Sequence, residues 1–327
     1  MLQQRSLLVS LVLLIDRIPL LPPPVKRKRG RPQDYSDRLI LKALLIMIIR
    51  RLYTAYSLLA FLEQDDTVAQ QLKALLHQDG KFPTRRTWER RLAQLPATLP
   101  PLIGYFGRQL AISLRAWPNG AQAAAVDSTK LDTGGGVWHK KAKEKGEIPH
   151  TSIDMQAGWS KSGWHGWWYG WKLHLAVTVG SLWIPLAAEL TVANTADAEV
   201  APRLVEQMPK QVGYVLGDTH YNTPTVRQAC NARGCELVAT RRGAYPHRDG
   251  GVEVRRIFHK LRSQSIEPFN GLFKNVFEWR VKMPVKGLCK TQLLALGAIF
   301  IYQLALLYQH EQGQAVGKGI KALLRAA

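Results

Sequence analysis

Two patterns of hydrophobic spacing divide the chain near residue 117. Before that point apolar side chains recur at the spacing of helices. The predicted helices cover residues 37–62, 67–77, 85–92 and 102–114. Pro96, Pro100 and Pro101 are expected to separate the last two, because proline lacks the backbone donor that continues a helix. Residues 1–117 are therefore predicted to form an all-helical first domain.

Beyond residue 117 the spacing changes to the alternation that is typical of strands. The predicted strands cover residues 123–127, 171–179, 182–190, 214–218 and 236–240. The predicted helices cover residues 196–208, 224–232 and 265–277. Strands interleaved with helices predict a mixed α/β domain with one central sheet over residues 118–327.

Two apolar runs resemble membrane segments in composition. Residues 7–15 are closed by Asp16 and Arg17, and no small-residue cleavage site follows them, so a signal peptide is disfavoured. Residues 293–308 are interrupted by Gln303 and fall short of the ~20 residues that span a bilayer, which predicts a buried helix. Three cysteines without a CxxC pair suit a reducing compartment. We expect a soluble, cytoplasmic protein with no membrane partner.

The charge of the chain indicates its partner. The sequence has 45 Lys and Arg against 24 Asp and Glu, a formal net charge of +21, which favours a polyanion and above all nucleic acid. Arg29 and Arg31 flank Gly30 inside the basic run 26–32. This run is either an AT-hook that lies in a narrow minor groove or a nonspecific arm on phosphates.

Two further basic segments are candidate DNA contacts. Arg85 and Arg86 begin a basic run that is either a recognition helix or a solvated helix face. A second run precedes the last predicted helix of the sheet domain and is interpreted as a track for the DNA backbone; it includes Arg255, Arg256 and Arg262. A cluster of tryptophans at 159–171 either stacks on unpaired bases or packs against the rim of the sheet.

Three carboxylates carry the candidate chemistry. Asp127 and Asp218 each end a predicted strand, and neighbouring parallel strands would bring them to one edge of the sheet. Glu267 lies on a predicted helix whose same face carries Asn270 and Lys274. Three acids without sulfur or imidazole suit two Mg²⁺ or Mn²⁺ ions, which serve phosphodiester displacement. With a charge of +21, this set predicts a metal-dependent nuclease.

Four segments that contain these residues resemble the bacterial insertion-sequence DDE transposases. They are AVDST at 125–129, WKLHLAV at 171–177, GDTHY at 217–221 and IEPFNGLFK at 266–274. The resemblance covers residues 121–308 and implies an RNase H-like catalytic domain. It also implies that Asp127, Asp218 and Glu267 bind the catalytic metal ions. Lys274 matches a basic residue of the family that contacts DNA near the cleaved end.

The resemblance implies a DNA transposase that cuts the ends of its element and transfers the 3′-hydroxyl strand into target DNA. Its implied partners are the terminal inverted repeats and the target duplex, with a homodimer in the synaptic complex. Two alternatives stay open. In the first, the chain is an RNase H-like structure-selective nuclease without strand transfer. In the second, it is a catalytically silent protein that binds repeats.

The sequence departs from one subgroup of the family. That subgroup has tyrosine and arginine seven and four residues before the glutamate, where this chain has Lys260 and Ser263. Arg262 is one residue out of place, so its role is open. The 49 residues from Asp218 to Glu267 leave no room for the large β insertion of some relatives.

Other polar residues of the domain are interpreted as bystanders. Asp132, Asp154 and Asp197 are left out of the acidic set, and Asp197 is expected at a helix start, where acids are favoured by the helix dipole. His220 is interpreted as a rim residue. Cys230 and Cys235 lack zinc spacing and are expected to be buried.

Overall fold

The computed structural model describes residues 6–20, 35–117, 122–163, 166–239 and 251–327, with only the backbone at 251–255. The predicted basic run 26–32, with Arg29 and Arg31, lies outside these residues, as does the side chain of Arg255. The boundary between two predicted domains stays a prediction.

The first part of the described chain is helical. Its helices are α1 (Leu7–Leu14), α2 (Asp37–Ile49), α3 (Ala55–Leu62), α4 (Thr67–Ala74) and α5 (Arg85–Ser113). Ser36, Thr54 and Asp66 each accept a hydrogen bond from a backbone amide in the first turn of the following helix. The helix predicted over 37–62 is therefore two helices, and the chain turns between them at Arg51, which has a φ of 58°.

Helix α5 corrects the prediction of a proline break. It runs through Pro96, Pro100 and Pro101 without interruption for 29 residues. The proline rings are half-buried or exposed, whereas the apolar side chains of the same stretch, such as Leu95 and Leu99, are buried in the core. Packing of the apolar face thus outweighs the lost backbone hydrogen bonds.

The second part of the chain builds a six-stranded mixed sheet. Its strands are β1 (Ala123–Asp132), β2 (Gly158–Ser162), β3 (Gly166–Thr178), β4 (Pro185–Val192), β5 (Tyr214–Gly217) and β6 (Glu236–Ala239). The order is β2-β3-β1-β5-β6, with β4 also paired to β3. β1, β5 and β6 are parallel, while β3 is antiparallel to β1, β2 and β4. The predicted hairpin is the pair β3–β4.

Helices lie against both faces of this sheet. They are α6 (Lys140–Glu144), α7 (Asp197–Gln207), α8 (Pro224–Ala232), α9 (Gly251–Ser263), α10 (Ile266–Val276), α11 (Leu288–Glu311) and α12 (Ile320–Ala326), with a 3₁₀ turn at Thr219–Tyr221. Asn270 of α10 bonds Asp127, whereas Asp197 of α7 contacts Lys172 and His174, which point to the opposite face. The sequence did not predict α6 or β2.

One continuous hydrophobic core joins the helical part to the sheet. At its centre, the buried Gln303 of α11 donates to the carbonyl oxygens of Ile103 in α5 and Pro185 in β4, at 2.9 and 2.8 Å. Within the described residues, α11 is the one helix long and apolar enough to cross a membrane, and 83% of that apolar window is buried inside the protein. The prediction of a buried helix is confirmed, but its predicted length was too short.

Candidate active site

The parallel ladder between β1 and β5 positions two of the predicted acids. Its last pair is Ala125 opposite Leu216, and Asp127 and Asp218 each lie two residues further along their own chain segment. Asp127 does not end its strand, because β1 continues to Asp132 along β3. The two carboxylates therefore leave neighbouring chain segments at the same level, near enough for Asp218 to raise the pKa of Asp127.

Asp127 is enclosed more than its partner. Burial raises the pKa of its carboxyl to about 7, and the neighbouring charges of Asp218 and Asp197 act in the same direction. The Arg262 guanidinium and the backbone amide of Ser128 oppose this rise. Asn270 Nδ2 donates to Asp127 Oδ2 at 3.3 Å. This carboxylate is thus fixed in place and short of positive charge.

Asp218 also caps the 3₁₀ turn that follows β5. Its Oδ1 accepts the backbone N–H of His220 at 2.8 Å, and its Oδ2 lies 3.2 Å from His220 Nδ1. The His220 side chain is exposed at the edge of the site, as predicted from the sequence. Tyr221 packs its ring against Gly217, where an added Cβ would lie 2.8 Å from the Cβ of Tyr221. The backbone leaving β5 is therefore held from two sides.

Glu267 is held by a side chain instead of by the sheet. Its Oε1 lies 2.8 Å from Nη2 of Arg262, which comes from the last turn of α9. The Arg262 side chain is largely buried at 13% exposure, whereas Glu267 is 52% exposed. A break between α9 and α10 separates the two residues, so an arginine five residues before the glutamate still reaches it. Arg262 thereby links Glu267 to Asp127.

The described residues include no group of three or more His, Cys, Asp or Glu side chains placed to hold a metal ion. In the structure Asp127 lies near Asp218, whereas Glu267 forms an ion pair with Arg262. The chemistry of the donors nevertheless fits a hard cation, since Asn270 Oδ1 beside Asp127 is buried and has no hydrogen-bond partner in the described part of the chain. Carboxylate and amide oxygens of this kind suit Mg²⁺ or Mn²⁺.

Lys274 lies on α10, two turns beyond Glu267. Burial lowers the pKa of its ammonium, as do Lys130 and Arg280, while Asp132 and Asp127 oppose the shift. Lys274 thus lies near strand β1, and its ammonium group is close to the Asp127 carboxylate. The DNA contact that the resemblance implies for Lys274 stays a prediction.

A comparison with protein families decides the kind of protein to which this site belongs. The family described as the transposase DDE domain matches residues 118–304, more than half of the chain. The chain belongs to the DDE transposase family. The predicted resemblance is confirmed, and with it the RNase H-like mixed α/β fold.

Solved transposase structures are more distant from this transposase. A piggyBac transposase synaptic complex with hairpin DNA is 8% identical, with 97% of this chain and 76% of that chain covered at a TM-score of 0.39. A Mos1 transposase paired-end complex with left transposon end is 14% identical, with 86% and 81% covered at a TM-score of 0.22. No curated protein matches the sequence.

The three aspartates that were left out of the acidic set each have a structural partner. Asp154 is buried and accepts hydrogen bonds from Thr133 Oγ1 at 2.6 Å and from the Gly287 amide at 2.9 Å. Asp197 lies 3.2 Å from Lys172 Nζ at the start of α7. Asp132 lies 3.1 Å from Lys130 Nζ. Their exclusion from the acidic set is consistent with these contacts.

The basic candidates differ in what they contact. Arg86 and Arg256 are exposed, and Arg85 is exposed beside Glu89, with 2.9 Å between Nε and Oε1. Arg91 of the same run is buried and bonds Asp37 at 2.6 Å, so this residue braces α5 against α2. The DNA contacts predicted for Arg85, Arg86, Arg256 and Arg262 stay predictions.

Sequence reasoning overlooked Tyr221 and the lysines of α6. Tyr221 is fully buried, its hydroxyl has no hydrogen-bond partner among the described residues, and burial raises its pKa. The charges of Asp197, Asp127 and Asp218 raise that pKa further, which places the ring behind the paired aspartates. One signal for Tyr221 was present in the sequence, its position in the GDTHY segment. An aromatic residue at such a position is ordinarily interpreted as part of the hydrophobic core.

Proposed function

We propose that this transposase is encoded by an insertion sequence, that it cuts DNA at the ends of the element, and that it joins the freed 3′-hydroxyl to target DNA. The proposal is carried by the common level of Asp127 and Asp218 beyond the β1–β5 ladder. A chain of net charge +21 suits a DNA substrate.

Asp127, Asp218 and Glu267 are the residues that would hold the divalent ions. When bound, two Mg²⁺ or Mn²⁺ ions supply an activated oxygen nucleophile and stabilise the leaving oxygen. Asp127 shows the greatest need for a cation, because burial and neighbouring acids raise its pKa to about 7. Glu267 would join the pair from α10 after leaving Arg262.

The protein side chains around the acids orient the carboxylates and the DNA. Asn270 fixes Asp127 Oδ2, and Arg262 offsets the repulsion between the acids. Lys274, near the same strand, would bind a phosphate beside the cut. One centre serves both steps, because the oxygen released by cleavage becomes the nucleophile in joining. Two ends need two such centres, which supports a homodimer in the synaptic complex.

A joining assay tests the proposal. Purified protein, Mg²⁺ and a plasmid that carries the coding region with its flanking DNA are mixed with a second, target plasmid. We expect molecules in which the element ends are covalently joined to target DNA. Cut but unjoined ends would support the nuclease without strand transfer, and end binding without cutting would support the silent repeat-binding protein; either result overturns the proposal.

A matched pair of variants ties the activity to this site. Asp218→Asn keeps a side-chain acceptor for the His220 amide but removes the charge, so we expect DNA binding without cutting. Glu236→Gln changes an exposed carboxylate on β6 and should cut and join like the natural chain. Full cutting by Asp218→Asn would show that the chemistry occurs elsewhere.

A further inference from the structure

The β2–β3 hairpin projects beyond the strand that carries Asp127. Gly170 of β3 pairs with Asp132, the last residue of β1, so residues 166–169 extend past the end of β1. Among the described strands they pair with β2, from Trp159 opposite Tyr169 to Ser162 opposite Gly166, and the Thr133 amide also donates to the Tyr169 carbonyl oxygen. This projecting hairpin, together with α6, is called the arm below.

One face of the arm continues the face of the sheet that carries Asp127. Asp127 lies opposite Leu175, and Trp167 precedes Leu175 by eight residues on β3, an even number that keeps both on one face. Eight residues of strand span about 26 Å. At 3.4 Å per nucleotide step, that reach corresponds to about seven or eight steps of DNA from the paired aspartates.

The lysine-rich helix α6 is attached to this same face. Trp159, which shares the face with Lys161 and Trp167, donates its indole N–H to the carbonyl oxygen of Trp138 at 3.0 Å. The His139 and Trp159 rings lie 6.3 Å apart, and the Lys143 ammonium lies 5.3 Å from the Trp138 ring. The exposed lysines on this helix and just after it are Lys140, Lys141, Lys143 and Lys145.

Trp167 is an exposed aromatic residue of the arm. It is 66% exposed, whereas its neighbour Trp168 is 7% exposed. The Lys161 ammonium lies 5.7 Å from the centre of the Trp167 ring. An indole with a cation beside it and most of its surface in water is a stacking platform for a nucleic-acid base.

We propose that the arm binds single-stranded DNA about seven or eight nucleotide steps from the cleavage site. Trp167 stacks on an unpaired base, and the lysines of α6 with Lys161 contact the backbone phosphates. The unpaired state follows from the geometry of stacking, because a paired base inside a duplex has both faces covered by its neighbours. This inference rests on the proposed function, since cleavage at an end is what brings an unpaired strand to the arm.

Binding measured without metal tests the arm separately from the chemistry. The probes are a fluorescent blunt duplex and the same duplex with a single-stranded tail, followed by anisotropy. The natural chain should bind the tailed probe more tightly than the blunt one. Trp167→Ala should weaken tailed binding about tenfold and leave blunt binding unchanged, in line with ~1–3 kcal/mol for stacking on one base. Trp167→Phe should keep part of the preference.

Two further variants complete the design. Tyr56→Ala removes an equally exposed aromatic side chain, 67% in water, from α3 and should leave binding by both probes unchanged. Combined replacement of Lys140, Lys141 and Lys143 by Gln should weaken binding and flatten its salt dependence.

An unchanged tail preference in Trp167→Ala would overturn the proposal. Equal losses for both probes would also overturn it, because they would make the arm a duplex-binding surface. Asp218→Asn should show the natural preference for the tail, so a failure of the cleavage assignment leaves this measurement intact.

Discussion

The two aspartates and the glutamate of the candidate site are held in different ways. Asp127 and Asp218 emerge from a parallel backbone ladder, so their separation is set by hydrogen bonds between strands. Glu267 extends from α10 and is held by one side-chain contact to Arg262, with half of its surface in water. The site therefore has a ladder-fixed half and a helix-borne half.

This difference shows where the site can rearrange. Moving Asp127 would break backbone hydrogen bonds of the sheet, and moving Asp218 would disturb the 3₁₀ turn that it caps, whereas Glu267 can exchange Arg262 for another cation by rotating its side chain. The move of Glu267 toward the two aspartates that the proposed function requires would involve a change of its side-chain partner and would leave the backbone ladder intact. At neutral pH, substitutions in the ladder-fixed half should therefore have larger effects than those in the helix-borne half.

The largest effect is expected from removing charge in the ladder-fixed half. Asp127→Asn should lower the rate of end cleavage by at least about a thousandfold, or about 4 kcal/mol of barrier, because it removes an acid that would bind metal. Its melting temperature should stay the same or rise, since the amide carries no charge to bury. Cleavage and thermal unfolding are measured on the same sample, and a rate above a tenth of the natural one would contradict the assignment.

A matched pair of glycine substitutions compares the rigidity of the two halves. In Gly217→Ala the new Cβ would lie 2.8 Å from Tyr221, so the free energy of unfolding should fall by about 1–3 kcal/mol. In Gly271→Ala on α10 nothing lies within 4 Å, and higher helix propensity should add about 0.5–1 kcal/mol. Chemical denaturation measures both, and equal effects would show that the halves do not differ.

The contact between Arg262 and Glu267 is expected to be weaker. A double-mutant cycle with Arg262→Gln and Glu267→Gln should give a coupling of about 1 kcal/mol, because Glu267 is half exposed to water. Thermal unfolding without metal measures it. Zero coupling would mean that Arg262 does not hold Glu267 in solution.

The last prediction concerns the pH dependence of stability behind the ladder-fixed half. Burial lowers the pKa of His174 to about 4, below the ordinary 6.5, and Lys172 and Arg203 act in the same direction against Asp197. The unfolded chain then binds the extra proton between these pH values, so this contribution to stability is complete above pH 6.5 and lost as the pH falls toward 4.

A variant without His174 separates the contribution of this histidine to the pH dependence of stability. The melting temperature of His174→Gln should fall less than that of the natural chain between pH 6.5 and 4, because glutamine does not titrate. Subtracting the melting temperatures of one chain from those of the other at each pH removes the contribution of the other titratable groups, because both chains contain them. Parallel curves would exclude His174 as the source.

The sequence was sufficient for the ladder-fixed half. Strand alternation and the position of Asp127 and Asp218 after apolar runs are local signals, and the parallel pairing then follows from the α/β order. Contacts between distant side chains gave no such signal. Arg91 reads as a basic surface residue but is buried against Asp37. Arg262 reads as a DNA contact but faces Glu267, because the break between α9 and α10 is not visible in the spacing.

The helical part was harder to predict for a different reason. Proline is a reliable break only where the chain has no strong reason to stay helical. In α5 the apolar residues around Pro96 are buried in the core shared with α11, and this tertiary packing was not encoded locally. The Gly- and Trp-rich stretch hid β2 because glycine gives no strand signal.

Helix α11 has a consequence for the order in which the parts of the chain can pack together during synthesis. Its residues, Leu288–Glu311, lie near the end of the chain, yet Gln303 joins α5 to β4 in the middle of the core. A nascent chain that has emerged only as far as Glu267 carries all three acids but lacks the layer that holds the sheet against the helical part. Packing of the sheet against the helical part therefore depends on a helix that follows all three acids in the sequence.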